Sequence, residues 1–391
     1  MSGQSKKEYL AHLRKRYRLS KSKREKSEII DELIKNLSIH RKSAIRILNH
    51  KPRKYRRRKA RKVTYGFDLV TPLKQLWLVA GRPCSKRLKA QIPELLKKLK
   101  QFSEIKLYGR QEELLCRMST FTIDSLLVEE RISKADRGLS GTRTSPLLKQ
   151  LIPIRTTFDE VDTPGHIEMD CVLHCGESVA GNYAETLNLL DIETHWNEKD
   201  IFLNKTNLKV IGSLHILRKQ FPFEVKSIDF DNGYEFVNWA MYKYCDQEKL
   251  SYTRSRAYKK NDQAHIEGKN YQSVRKVVGY SRITDEHTVN LIKNIYLNEH
   301  RLLTNYFYTT LKLQEKIRIK GKITKKYGIA KTPYQRVIES DKVEDGIKEK
   351  LTKEYKNLNP AELNRSLEKK LKKLESRLKK SNIIKSGNEL V

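Results

Sequence analysis

Three acids in this 391-residue chain stand where chemistry could concentrate: Asp170 within HIEMDCVL, Asp231 within SIDFDNG and Glu267 within NDQAHIEGKN. The first falls in the middle of a predicted strand, the second at the end of another, and the third one turn into a predicted helix. If those elements meet, the carboxylates converge, and converging carboxylates raise one another's pKa unless a cation lies between them. An all-oxygen ligand set with open positions suits the hard ions Mg2+ or Mn2+. Two such ions ~4 Å apart can activate a water or hydroxyl and steady the leaving oxygen of a phosphodiester. The flanking residues fit that chemistry. Asn232 and Gly233 make a tight turn just past Asp231. The stretch RSRAYKK (254–260) brings Arg254, Arg256, Lys259 and Lys260 for gripping a DNA backbone, and Lys269 and Asn270 share the helix of Glu267, within reach of a strand being cut.

The elements that must position these acids can be read from the apolar pattern. His166 to Leu173, Tyr183 to Ile192 and His195 to Leu203 predict three consecutive strands. A helix over Thr206 to Phe221 follows, then a strand Val225 to Phe230, a helix Glu235 to Glu248, a strand Ser251 to Arg254 and a helix from about Asp262. The order is βββαβαβα, which predicts a mixed sheet covered by helices, an α/β layer architecture. In such a sheet the first and fourth strands can lie side by side, with the last helix laying its N-terminal turn across their ends.

Charge divides the chain unevenly. Lys and Arg number 81 against 47 Asp and Glu, a formal charge of +34, which neutral partners do not explain. Yet residues 151 to 200 hold eleven acids and only two bases, Arg155 and Lys199. Clustered carboxylates repel a polyanion unless a cation sits among them, so this island is either a metal site or an acidic solvated face.

Before the island the chain reads as helical and basic. Ser22 with Glu25 makes a capping box ahead of Ile29, Ile30, Leu33, Ile34 and Leu37, and a turn over Leu37 to Ile39 leads to a second helix, His40 to Asn49. This is a helix-turn-helix pattern, with Arg41, Lys42, Arg46 and Asn49 facing outward for phosphate and base-edge contacts. The run KPRKYRRRKARK (51–62), with Arg53, Arg56, Arg57 and Arg58 among its nine bases and no acid, reads as an arm along DNA. Similar helical units recur: Thr71 and Pro72 predict a cap and first-turn proline, Leu73, Leu76, Trp77 and Ala80 a stripe, Gly81 a stop, and Ser85 a new start. Glu112 to Met118 and Ile123 to Arg131 predict another pair. Residues 133–154 are Gly-, Ser- and Thr-rich and read as a linker. At the far end Asn359 caps a helix from Pro360, and Leu363, Leu367, Leu371, Leu374 and Leu378 step at coiled-coil spacing, for self-association or for packing back on the core. The domain plan is thus 1–62 helix-turn-helix and arm, 63–132 second helical DNA-binding region, 133–154 linker, 155–300 catalytic core, and 301–391 a basic, helical C-terminal region.

Together these stretches resemble a known family. Between Asp231 and Glu267 lie 35 residues, and with Asp170 upstream this is similar to the D,D-35-E triad of retroviral-integrase-like transposases. TPGHIEMDCVLHCG, DFDNGYEF and RSRAYKKNDQAHIEGKN resemble the integrase-core transposases of bacterial insertion sequences. The resemblance implies an RNase H-like core in which Asp170, Asp231 and Glu267 bind two divalent metal ions. It also implies helix-turn-helix recognition of terminal inverted repeats, hydrolysis that frees 3′-hydroxyls, attack of those hydroxyls on target DNA, and a homo-oligomer of two or more chains holding the ends. A prokaryotic cytoplasmic, nucleoid-associated location follows from it. Paired His and paired Cys are missing from the first hundred residues, so no zinc-bound N-terminal domain is expected. The alternative is a catalytically silent DNA-binding regulator that keeps the fold.

Other chemistry is less well supported. Cys171, His174 and Cys175 lack a fourth zinc ligand at suitable spacing and read as buried structural residues. Asp229 shares the strand face of Asp231, and Glu168 that of Asp170, as neighbours of the site. Trp77, Trp196 and Trp239 are expected in the core. Five scattered cysteines argue against a disulfide framework. No window approaches the ~20 apolar residues of a membrane helix.

Overall fold

The computed structural model describes residues 3–50, 64–128, 130, 161–230, 236, 238–254, 264–319 and 322–388. The chain divides into two compact units, 1–63 and 64–391. The first holds helices α1 (Gly3–Leu19), α2 (Lys23–Leu37) and α3 (Arg41–Asn49). Ser22 caps α2 by accepting from Glu25 N at 3.1 Å, but the Glu25 carboxylate accepts from Lys21 N and not from Ser22 N, so the box is half closed. Ser38, at φ 52°, reverses the chain into α3, whose cap is His40. Leu13 of α1 completes a core with Ile29, Ile30, Leu33, Ala44 and Leu48. The sequence reading missed α1, because its apolar residues are few among many cations.

The second unit opens with α4 (Val70–Val79), α5 (Ser85–Gln101), α6 (Gln111–Arg117) and α7 (Thr120–Leu126). Thr71 is not a cap. A 3-10 turn over Phe67–Leu69 starts the helix earlier and leaves Thr71 and Pro72 inside its first turn, where the missing proline N–H has no partner to lose. Gly81 ends α4 at φ 76°, with a Cβ position that would fall 2.5 Å from the Tyr308 ring, so both the backbone and the packing require glycine there.

The sheet follows: β1 (His166–His174), β2 (Ala184–Asp191), β3 (Asn197–Leu203), helix α8 (Asn207–Arg218), β4 (Ser227–Phe230), helix α9 (Trp239–Gln247) and β5 (Ser251–Arg254). Its order is β3-β2-β1-β4-β5, antiparallel among the first three strands and parallel from β1 through β4 to β5. This is the expected mixed α/β sheet, with the first and fourth strands adjacent. β3 starts two residues late because His195 sits at φ 61° in the turn. α9 starts at Trp239, capped by Asn238, which leaves Trp239 half exposed where a core position was expected. Trp77 and Trp196 are buried.

After β5 come α10 (Ala264–Asn270), which runs on through a π-helical turn (Tyr271–Arg275) into α11 (Lys276–Val278), then α12 (Glu286–Leu297) and α13 (Glu299–Leu302) with its π-helical extension Leu303–Phe307. The C-terminal region is not purely helical. An antiparallel hairpin, β6 (Leu313–Ile319) and β7 (Lys322–Tyr327), precedes α14 (Pro333–Glu339), α15 (Asp345–Asn357) and α16 (Pro360–Asn388). Asn359 caps α16 as expected, accepting from Ala361 N at 3.0 Å. Of the two roles open to the leucine stripe, the structure takes packing back. Leu367 is buried in the sheet core, Leu374 among Val289, Ile292 and Tyr296 of α12, and Leu363, Leu371 and Leu378 pack beside them. Lys370 to Glu299 at 2.7 Å and Arg365 to Glu104 at 2.7 Å pin the helix along its length.

Candidate active site

Glu168 and Asp170 are two residues apart on β1 and so share one sheet face, and that face is crossed by α10. Glu168 is buried, and its Oε2 accepts the backbone N–H of Ile266 at 2.8 Å. A carboxylate at the first turn of a helix both satisfies an orphan donor and meets the positive end of the helix dipole. One helical turn further on, Asn270 Nδ2 donates to Asp170 Oδ2 at 2.5 Å, while Asp170 Oδ1 accepts from Cys171 N at 2.8 Å. The helix is thus fixed to β1 at two points four residues apart. Glu267 lies on the exposed side of that first turn, three residues before Asn270 and on the same flank of the helix.

Asn270 also anchors a line of amides that runs across the sheet. Its Oδ1 accepts from Asn188 Nδ2 at 2.7 Å, Asn188 Oδ1 accepts from Asn197 Nδ2 at 2.6 Å, and Asn197 Oδ1 accepts from Lys199 Nζ at 2.8 Å. Asn197 also exchanges backbone bonds with the Asn305 side chain at 2.9 and 3.1 Å. Buried polar groups bonded in series hold one another in a single geometry. The sequence reading missed these residues, although Asn188 stands between Leu187 and Leu189 and that interruption is a signal.

The remaining expectations separate. Asp229 is buried, pairs in register with Glu168 and accepts from Thr253 Oγ1 at 2.6 Å. Phe230, the residue before Asp231, pairs with Met169, the residue before Asp170. Asp231, Arg256, Lys259, Lys260, Arg53, Arg56, Arg57 and Arg58 lie outside the described residues. Arg254 ends β5 beside Phe230, and burial lowers its pKa. Two residues expected at DNA have partners or burial within the protein. Asn270 is bonded to Asp170 and to Asn188. Lys269 is buried, and burial, then the positive Lys199, Arg87 and Arg336, push its pKa down to about 7; a side chain turned inward is not presented to a DNA backbone. In the first unit Lys42 and Arg46 are exposed, whereas Arg41 is engaged by Asp31 and by Ser27 Oγ at 2.8 Å.

His174, from the zinc-like cluster, is buried with Nε2 2.7 Å from Thr186 Oγ1, and burial holds its pKa down to about 3. Among the described residues no group of three or more His, Cys, Asp or Glu side chains converges as a metal cluster. No described helix is long and apolar enough to cross a membrane.

No family model matches the chain. It is 36% identical over 313 residues to the uncharacterized protein y4rM of Sinorhizobium fredii (strain NBRC 101917 / NGR234), covering 80% of this chain and 89% of that one. Among solved structures it is similar to the catalytic core domain of BIV integrase, at 15% identity and TM-score 0.30, covering 45% of this chain and 95% of that one. The HTLV-2 integrase catalytic core in complex with magnesium gives 10% identity and TM-score 0.29, covering 38% and 91%. A simian T-cell lymphotropic virus intasome chain gives 13% and 0.30, covering 55% and 69%. Scores this low leave the functional reading to the chain's own residues.

Proposed function

The chain belongs to the family of the uncharacterized protein y4rM, and for this member of it we propose a metal-dependent DNA transposase of the integrase-core type. It binds transposon terminal inverted repeats, cuts DNA to free 3′-hydroxyls and joins these to target DNA. The observation that carries the reading is the two-point attachment of α10 to β1, Glu168 to Ile266 N and Asn270 to Asp170, which supports a shared site for Asp170 and Glu267. The pairing of Phe230 with Met169 supports the approach of Asp231 to the same place. Three antiparallel strands continued by two parallel ones accord with an RNase H-like core.

The donor chemistry fits a hard divalent cation. Asp170, Asp231 and Glu267 offer oxygen only, and Asp170 is half buried on a strand paired on both sides. These three residues would hold two Mg2+ or Mn2+ ions, which when bound supply Lewis-acid stabilisation to a phosphodiester. Asn270 orients Asp170, Glu168 fixes the turn that carries Glu267, and the amide line behind them resists reorientation. Lys42 and Arg46 of α3, with the arm at 51–62, grip the DNA, and two or more chains hold the ends.

Asp231→Asn and Glu267→Gln should each abolish joining of a pre-cut donor end in Mg2+ while end binding persists. Unchanged joining in either variant would overturn the assignment. A wild-type chain that binds ends and joins none would instead support the silent regulator.

A further inference from the structure

Behind α10, on the side away from Glu267, the second unit holds a cavity of about 30 Å³ bordered by Arg87, Lys269, Gln272, Lys276, Thr304 and Thr309. Its lining includes three cations and no carboxylate. Lys269 is only 8% exposed and makes no ion pair among the described residues. Arg87 donates from one terminal nitrogen to Gln272 Oε1 at 2.6 Å, yet its Nε is buried without a hydrogen-bond partner, and so is Thr304 Oγ1. The groups acting most strongly on Lys269 from outside the lining, Lys199 and Arg336, are positive as well.

Buried charge without an opposite charge is destabilising, and a buried donor without an acceptor calls for a water or an ion. Water satisfies the donors and leaves the charge of the Arg87 guanidinium, which keeps its proton. An anion satisfies both. The space exceeds that of a single water, ~10 to 15 Å³ on the same measure, so it admits a group of a few heavy atoms. A guanidinium, an ammonium and a hydroxyl lining one small cavity match the oxygens of a tetrahedral oxyanion, as charge-assisted bonds do best. We propose that this cavity is a phosphate-binding site, formed by Arg87 of α5, Lys269 of α10 and Thr304 of the α13 extension, with Lys276 at its mouth. It takes a phosphate group, either free or carried by a nucleic acid strand, and does not depend on the transposase reading. An occupant ties the helix of Glu267 to the helices of residues 70–101.

The test is thermal unfolding of the full chain in about 10 mM inorganic phosphate against NaCl of equal ionic strength, since a ligand of the folded state alone raises Tm by mass action. Phosphate should raise Tm and NaCl should not. Arg87→Gln and Lys269→Met should each remove the phosphate-specific rise, and Lys269→Met should unfold in NaCl no lower than wild type, because it removes an unpaired buried charge. If Lys269→Met does not fold, Arg87→Gln, at a half-buried position, carries the same readout. Competition between phosphate and a short 5′-phosphorylated duplex separates the sources: displacement of the duplex assigns a strand phosphate, and a Tm rise without displacement assigns the free ion. Equal Tm in phosphate and NaCl, or a phosphate-specific rise that survives both substitutions, would overturn the site.

Discussion

Asn270 Nδ2 reaches Asp170 Oδ2 at 2.5 Å, from the last residue of a seven-residue helix to the middle of a nine-residue strand. That contact is the basis for a positioning role. Asn270→Ala should lower joining ~10- to 100-fold, the usual loss when a metal ligand's hydrogen-bond partner is removed, and raise the Mg2+ needed for half-maximal rate. Binding of a donor end should stay within about twofold. A large fall in binding with an unchanged Mg2+ requirement would return Asn270 to the DNA interface.

Glu168 holds the start of α10 through Ile266 N. Glu168→Ala leaves that N–H unsatisfied in a buried place and should cost about 1 to 3 kcal/mol in urea unfolding. Glu168→Gln keeps an acceptor and loses only the charge at the helix end, so about 1 kcal/mol or less is expected. Equal losses in the two variants would contradict a capping role.

Burial holds the His174 imidazole down to about 3, far below the ~6.5 of an unfolded chain. The unfolded chain therefore takes up this proton first. The stability is complete above pH ~6.5 and falls by up to ~1.4 kcal/mol per pH unit as pH drops from there toward 3. Asp191, raised to about 6 by burial, has the opposite sign: below pH 6 the folded chain takes its proton first, which offsets part of the loss. Denaturant unfolding of His174→Gln between pH 6.5 and 5 should show a shallower slope than wild type, by a difference that grows from about half a proton to nearly one. Parallel slopes would show that His174 does not stay neutral.

Leu374 is 2% exposed between α16 and α12. Leu374→Ala should destabilise the chain by about 2 to 5 kcal/mol and leave its sedimentation behaviour unchanged, because the leucine stripe is occupied within one chain. A shift toward a smaller species on substitution would show that the stripe joins copies.

Much of this was readable from local pattern. Ser22 and Asn359 announce helix starts through side chains that accept their own helix's N–H groups, whereas Ser119 caps a helix that starts three residues ahead of the expected Ile123. The spacing of apolar residues marks the strands to within a few positions. What local pattern does not carry is the partner. Asn188 and Asn197 look like misplaced polar residues until the sheet pairs β1 with β2 and β2 with β3 and brings α10 across them. Lys269 reads as a surface cation beside an acid, and its burial comes with neighbours far away in sequence, Gly81, Arg87, Thr304 and Tyr308, which line one cavity with it. The β6–β7 hairpin was missed because its alternation is broken by lysines on both faces, with no core to reward one of them.

The alternation along β1 makes this short stretch unforgiving of changes in length. A single amino acid spliced in ahead of Met169 would turn each later side chain to the opposite side of the sheet, setting the Asp170 carboxylate on the side of Ile167 and its greasy neighbours and offering Met169 to Asn270 in its stead. Gains and losses of an odd number of residues within His166 to Asp170 should thus be purged, and the Gly176 to Gly181 turn is tied as well, because Arg282 donates to the carbonyls of Ser178 and Asn182 at 2.7 and 3.1 Å and both glycines hold positive φ.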